Sequence, residues 1–346
     1  MGKINFAIIG GGMIGQVHLE KLRQTGEAEV KWITARNERR LAEVARKYQI
    51  SNYTVNYHEA LADPEVDAVV ISTPPQSHTQ ILEDCLKHGK HVLLEKPLTI
   101  KPEEIDKLRS LYQQYSSLTL LAANSRHSRL IPKYQKAKEI IDSGKLGEIY
   151  LVRHHAVVRK GRPGVEYHPE AKWFLDKSIA GGGPVLDWGV YDLSFHLGVL
   201  GIELTNSEVS INAKLLKNGL DDEALKSEPV FDVEEHGMIW LKINELDYLW
   251  ERASHANMEE PNVTRIYGTR GGLKLSYCSW DDINFTQYGL SGAEATENNI
   301  VIDASGHDDN LALAHHFINV LKGSEKPVLS FEEALRQNEL LLEILE

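Results

Sequence analysis

Apolar residues follow two rhythms along this chain. In the first 123 residues they form short, nearly unbroken runs at 5–9, 30–34, 67–72, 91–94 and 119–123, each bounded by glycine, proline or polar residues. Runs of this length with no polar face read as strands buried on both sides, as in a parallel sheet. Between them lie stretches with helical spacing, at 13–24, at 38–48, up to His88, and from Lys101-Pro102-Glu103-Glu104, where an N1 proline precedes acids in the first turn. Strand alternating with helix predicts a doubly wound sheet. After Asn124-Ser125-Arg126 the pattern changes. A helix over 132–143 stops at Gly144, a long strand fills 149–158, and β-rich runs follow at 209–215, 238–243, 247–251, 264–267, 273–277 and 283–288. The polar stretch 216–229 reads as an exposed loop, and 309–321 and 331–346 as amphipathic closing helices. The expected fold is α/β: an N-terminal Rossmann-type domain, 1–123, and a C-terminal α+β domain, 124–346, built on a large, mainly antiparallel, open-faced sheet.

Composition narrows the function classes. A chain of 346 residues suits two domains, and a net charge of -12 argues against a nucleic-acid partner, which asks for a basic face. Cys85 and Cys278 form no pair motif, which fits a reducing, cytoplasmic setting. Residues 4–14 are apolar but Gly-rich and lack the basic start and cleavage pattern of a signal peptide. No apolar run approaches the ~20 residues of a membrane span.

Candidate chemistry begins where the first strand ends. Gly10-Gly11-Gly12-Met13-Ile14-Gly15 fits G-x-G-x-x-G between a strand and an amphipathic helix. There Gly10 permits the turn, Gly12 lets backbone approach a pyrophosphate, and Gly15 lets helix pack on strand. The second strand runs into Ala35-Arg36-Asn37, where an NAD site would place a carboxylate for the ribose 2′-hydroxyl. Arg36, with Arg39 and Arg40 near, favours the 2′-phosphate of NADP over NAD; the plainer reading makes Arg39 and Arg40 a solvated helix face. Ser72, Thr73, Pro74 and His78, after the next strand, are expected to border the nicotinamide. The run 91–94 ends in Glu95-Lys96-Pro97, which carries an ammonium group into the crevice at the strand ends.

A second stretch, Gly181-Gly182-Gly183-Pro184-Val185-Leu186-Asp187-Trp188-Gly189-Val190-Tyr191, implies close backbone approach at the start of a helix on which Asp187 and Tyr191 share a face. With Lys96 they would form a proton-handling set, the ammonium favouring phenolate at Tyr191. Asp192 and His196 make a competing pair about 140° round the helix; the glycines favour the first. Arg153, Tyr167, His168 and Trp173 are candidate substrate contacts. His154-His155 and His315-His316 lack ligand spacing, and no metal is expected.

Gly10-x-Gly12-x-x-Gly15, Glu95-Lys96-Pro97, Asn124-x-Arg126 and Gly181-Gly182-Gly183 leading to Asp187-x-Gly189-x-Tyr191 occur in that order across nearly the whole chain. In this the chain resembles the glucose-fructose oxidoreductase / inositol dehydrogenase / rhizopine-catabolism family. The resemblance implies a Rossmann domain followed by an open-faced sheet domain, a cis peptide before Pro97, and homodimers or homotetramers built on that sheet. It also implies that Lys96 and Asp187 contact the reacting hydroxyl, with Asn124 beside the cofactor and Arg126 beside the substrate. Many members have His at the place of Tyr191, and the tyrosine form is similar to the glucose-fructose oxidoreductase and dimeric dihydrodiol dehydrogenase branches. The expected activity is hydride transfer between NADP and a hydroxyl or keto carbon of a sugar, cyclitol or related polyol. A redox-neutral glycosidase working through transient sugar oxidation, and a non-catalytic dinucleotide sensor, are the alternatives.

Overall fold

The structure, a computed structural model, describes residues 2–159, 171–217, 230–279 and 282–346. Two compact units divide it, 1–126 with 308–335, and 127–307 with 336–346.

In the first unit β1 (Ile4–Ile9), β2 (Ala28–Thr34), β3 (Asn52–Thr54), β4 (Ala68–Ile71), β5 (His91–Leu94) and β6 (Leu120–Ala122) pair in the order β3-β2-β1-β4-β5-β6, all parallel. Helices α1 (Met13–Gln24), α2 (Glu38–Tyr48), α3 (Tyr57–Ala62), α4 (His78–Lys87) and α5 (Ile105–Gln114) alternate with the strands. The apolar runs are the core, with Phe6, Ala7, Ile8, Val69, Val70, Val92 and Leu94 fully buried. Strand order reverses between β1 and β4, so the crevice for a ligand opens at the carboxyl ends of these two strands. The edge strand β3 was absent from the hydrophobic reading because its three residues are polar or largely exposed. Residues 308–335 also belong with this unit, rather than with the C-terminal domain to which the pattern assigned them. The cause is packing: the helix Asp309–Leu321 lies against α1, its Phe317 ring 5.9 Å from that of Phe6, and Lys21 pairs with Asp308 at 2.7 Å.

The second unit contains α6 (Pro132–Asp142), β7 (Ile149–Arg159), α7 (Lys177–Ala180), α8 (Pro184–Leu200), β8 (Val209–Leu216), β9 (His236–Ile243), β10 (Leu246–Ala256), β11 (Glu260–Gly268), β12 (Gly272–Leu275), β13 (Asn284–Ser291) and β14 (Glu294–Val301). The strands form one sheet in the order β14-β13-β12-β11-β7-β10-β9-β8, antiparallel except for β7 with β10. Polar, exposed β14 escaped the sequence reading. Most of the expected loop 216–229 lies outside the described residues. One face of the sheet carries α8, whose residues are buried almost all round. The other presents Met238 and Trp240, 42% and 50% exposed, beside Leu249 and Arg153. Among the described residues no helix is long and apolar enough to cross a membrane.

Candidate dinucleotide and proton-transfer sites

The loop after β1 is shaped by close backbone contacts. Gly10 sits at φ +116, and a Cβ there would meet the Ser72 carbonyl carbon at 2.6 Å. A Cβ on Gly15 would stand 1.8 Å from the Gly10 oxygen. Ser72 Oγ donates to that same oxygen at 2.9 Å, so its hydroxyl serves the loop. Gly12 is different: it caps α1 in extended conformation, and a Cβ there would meet nothing within 4 Å. Two glycines are thus demanded by the fold and the third keeps space open at a helix N-terminus whose first turn holds no acid. That space and those N–H groups fit an anion such as a pyrophosphate. Gly12→Ala is therefore expected to keep the melting temperature of the wild type while weakening dinucleotide binding about tenfold, roughly 1.4 kcal/mol, as read by NADPH fluorescence titration.

At the end of β2, Ala35 lies against Gly11, and Asn37 caps α2 by accepting the Arg40 N–H at 3.0 Å. Arg36 is exposed there. Arg39 follows the plainer reading, since it is 92% exposed and faces Glu43 one turn on at 3.6 Å. Met13 is 44% exposed at the helix start and Ile14 half-buried.

At the ends of β4 and β5 the structure corrects one expectation. His78 is fully buried, with Nε2 2.9 Å from the Thr73 carbonyl and Nδ1 2.8 Å from that of Pro97, so it ties two loops together and offers nothing to a cofactor. Burial lowers its pKa, and a neutral imidazole has one N–H, so it donates to one of these carbonyls at a time. Thr73 accepts the Ser77 hydroxyl at 2.8 Å, and Pro74 is half-buried. The Lys96-Pro97 peptide is cis. Glu95 is buried too: its Oε1 lies 2.7 Å from His18 Nε2 and accepts Arg126 Nη1 at 2.6 Å, while Oε2 accepts the Lys96 N–H at 3.1 Å. Burial works against its charge, yet Arg126 and His18 outweigh it and hold the carboxyl well below the usual range. Arg126, expected beside the substrate, is 4% exposed and bound to Glu95. Asn124 is fully buried at the end of β6.

Lys96 stands in the first unit; Asp187 and Tyr191 stand in the second, one turn apart on α8, 8% and 2% exposed. The triple glycine has a partner the sequence did not reveal. Glu234 Oε2 accepts the Gly183 N–H at 2.7 Å and Oε1 that of Val185 at 2.9 Å, so a carboxylate caps the first turn of α8. A Cβ on Gly183 would stand 2.0 Å from the main-chain carbonyl oxygen of Glu234. Burial raises the Glu234 pKa, and these N–H donors oppose the rise. The Tyr191 ring meets that of His127 edge-on at 5.1 Å and that of Trp188 at 5.7 Å. His127, one place beyond Arg126, carried no signal in the sequence because its role comes from a contact far along the chain.

The competing pair faces the sheet. Asp192 is fully buried and accepts from Trp250 Nε1 at 3.0 Å, from Arg252 Nε and Nη2 at 2.9 and 2.6 Å, and from the Tyr277 hydroxyl. His196 is equally buried, with Nδ1 2.8 Å from the Tyr248 hydroxyl and Nε2 2.7 Å from Thr264 Oγ1; burial and the neighbouring His154 put its pKa well below the usual value. Arg153, expected in a substrate pocket, is exposed on the face opposite α8: β-strand alternation sends His154 toward α8 and Arg153 away from it. Trp173 is half-buried and stacks on Phe174 at 3.9 Å. Tyr167 and His168 lie outside the described residues. Among the described residues no three His, Cys, Asp or Glu side chains are grouped to hold a metal.

With this geometry in view, comparison with known proteins gives a consistent answer. Residues 4–122 match the oxidoreductase family with an NAD-binding Rossmann fold, and residues 134–274 match the C-terminal domain of the GFO/IDH/MocA family. The chain belongs to that family. A myo-inositol 2-dehydrogenase of Thermotoga maritima is 26% identical over 64% of this chain and 64% of its own. A trans-1,2-dihydrobenzene-1,2-diol dehydrogenase of Bos taurus is 28% identical over 63% and 62%. The chain thus spans a little under two thirds of the length of these two relatives. A levoglucosan dehydrogenase solved with NADH and L-sorbose shares the fold, with a TM-score of 0.83 at 21% identity, covering 100% of this chain and 96% of that one.

Proposed function

We propose that this protein is an oxidoreductase that moves a hydride between NADP(H) and a hydroxyl or keto carbon of a sugar, cyclitol or related polyol. The open space at Gly12 carries the dinucleotide part of this reading. The preference for NADP rests on exposed Arg36, at a strand end that carries no acid. The named activities of the inositol, levoglucosan and dihydrodiol dehydrogenases support the substrate class. A bound nicotinamide supplies hydride donor and acceptor chemistry. The chain's own part is binding and proton handling: Gly12, Met13 and Ile14 receive the pyrophosphate, and Arg36 the 2′-phosphate. During oxidation Tyr191 takes the hydroxyl proton, Lys96 stabilises the developing oxyanion and Asp187 orients the pair. Met238 and Trp240 on the open sheet face support assembly into homodimers or homotetramers. Buried Cys85 and half-buried Cys278, which form no disulfide, are compatible with a cytoplasmic setting.

The test is incubation of stoichiometric protein with NADP or NAD and a panel of inositols, sugars, dihydrodiols and glycosides, following nicotinamide absorbance and products together. Net reduction with a polyol supports the proposal. Glycoside cleavage without net reduction would replace it with transient oxidation in a glycosidase, and silence despite tight dinucleotide binding would replace it with a sensor. Arg36→Asp is expected to reverse the cofactor preference, lowering kcat/KM for NADP relative to NAD by about 10–100-fold, because it exchanges a bidentate donor for a like charge at the phosphate. An unchanged ratio would remove the 2′-phosphate argument.

A further inference from the structure

Three buried side chains, none of them used in the chemistry above, converge on the main chain around Lys96. On its N-terminal side, Glu95 Oε2 accepts the Lys96 N–H at 3.1 Å while Oε1 is held at 2.7 Å by His18 and at 2.6 Å by Arg126. On its C-terminal side, His78 stands 2.8 Å from the Pro97 carbonyl and 2.9 Å from that of Thr73. Exposures are 3% for His18, 4% for Glu95 and 0% for His78. His18 belongs to α1, the helix that starts at the glycine loop, and His78 opens α4. Burying an ionised carboxylate with its partners is a costly way to fill volume that apolar side chains would fill as well. The cluster therefore reads better as a device for placement than as a source of stability.

We infer that His18, Glu95 and His78 are positioning residues that fix the Lys96 main chain from both sides, so that the ammonium leaves the end of β5 in one direction. His18 also links that placement to the helix proposed to receive the pyrophosphate. The inference rests on the role given to Lys96 in the proposed function. A misplacement of about 1 Å at a reacting group can cost on the order of 100-fold in rate, which sets the scale of the effect.

The experiment uses His18→Gln and Glu95→Gln in the full chain, with Lys96→Ala alone and combined with His18→Gln. Hydrogen exchange of peptides covering 92–99 in the cofactor-free protein, which reads the Lys96 amide directly, is expected to quicken about tenfold while the other strands of the first unit keep their rates. With NADP and the most active polyol of the panel, kcat should fall about 10–100-fold while the NADPH Kd stays within about threefold. In the Lys96→Ala background, His18→Gln should cost nothing further, the sign that both act through one group. Exchange that rises throughout the unit, or wild-type kcat in His18→Gln beside an inactive Lys96→Ala, overturns the inference and leaves the proposed function standing. Near-normal turnover of Lys96→Ala overturns the catalytic reading itself and the inference with it. Should Glu95→Gln fail to fold, His18→Gln decides.

Discussion

Tyr191→Phe is expected to lower kcat by roughly 10²–10⁴-fold with little change in KM, whereas His196→Ala should keep turnover per folded molecule within about threefold of wild type. The phenylalanine ring keeps the edge-on contact with His127 and the contact with Trp188, so on the proposed roles substrate binding should persist while the proton acceptor is gone. His196 is given no such part in the proposed function, and both its ring nitrogens are engaged inside the unit by Tyr248 and Thr264. Its loss takes a partner from the buried Tyr248 and Thr264 hydroxyls, of which Thr264 keeps His154 at 3.0 Å, and costs about 1–3 kcal/mol of stability. Steady-state kinetics and thermal melts on both variants separate these effects. Full activity in Tyr191→Phe with an inactive, folded His196→Ala would move the chemistry to the other side of α8.

Arg252→Met is expected to destabilise the protein by about 3–5 kcal/mol, the usual result of leaving one partner of a buried ion pair uncompensated. Asp192 keeps Trp250 and Tyr277 as donors in that variant but loses the guanidinium that occupies two of its lone pairs. Converting both partners, as in Asp192→Asn/Arg252→Met, should recover much of the loss, since no charge then remains to be buried. The pH dependence has a definite sign. Burial opposes the Asp192 charge, but Arg252 and His154 overcome it and hold the carboxyl far below its ordinary range in the folded protein. Its stabilisation is thus fully present above the unfolded pKa of about 4 and is lost as pH falls below that value. Melting temperatures from pH 3 to pH 8 should therefore show a steep acid limb in the wild type. The limb attributable to Asp192 should be absent from the double variant.

The legible parts of the fold were those where one residue pattern implies one structure. Apolar runs such as Val69-Val70-Ile71 and Val92-Leu93-Leu94 are buried on both faces, which only a covered parallel sheet allows, and they are strands here. β3 and β14 were silent because edge strands bury little and so carry no hydrophobic period. On α8 the spacing of Asp187 and Tyr191 could be read, and so could the existence of a second register at Asp192 and His196. What covers the second register, Arg252 and Tyr277 from distant strands, could not be read, since pairing across a sheet leaves no trace in local spacing. The same limit hid Glu234, which caps α8 from far along the chain, and the buried engagement of His78. Arg153 was misplaced for a simpler reason: strand alternation leaves open which side of the sheet is covered until the covering helix is known.

The composition of the first unit also bears on the order in which the protein can be completed during synthesis. Its six-stranded sheet is finished by Ala122, but the helix Asp309–Leu321 that packs on α1 leaves the ribosome after nearly the whole second unit. Until then α1 lacks that cover, and Phe6 lacks the ring of Phe317. The glycine loop at the head of α1 precedes nearly the whole second unit in the chain, yet it stands on a helix whose packing awaits residues 309–321, which ties maturation of the dinucleotide site to synthesis of the second unit.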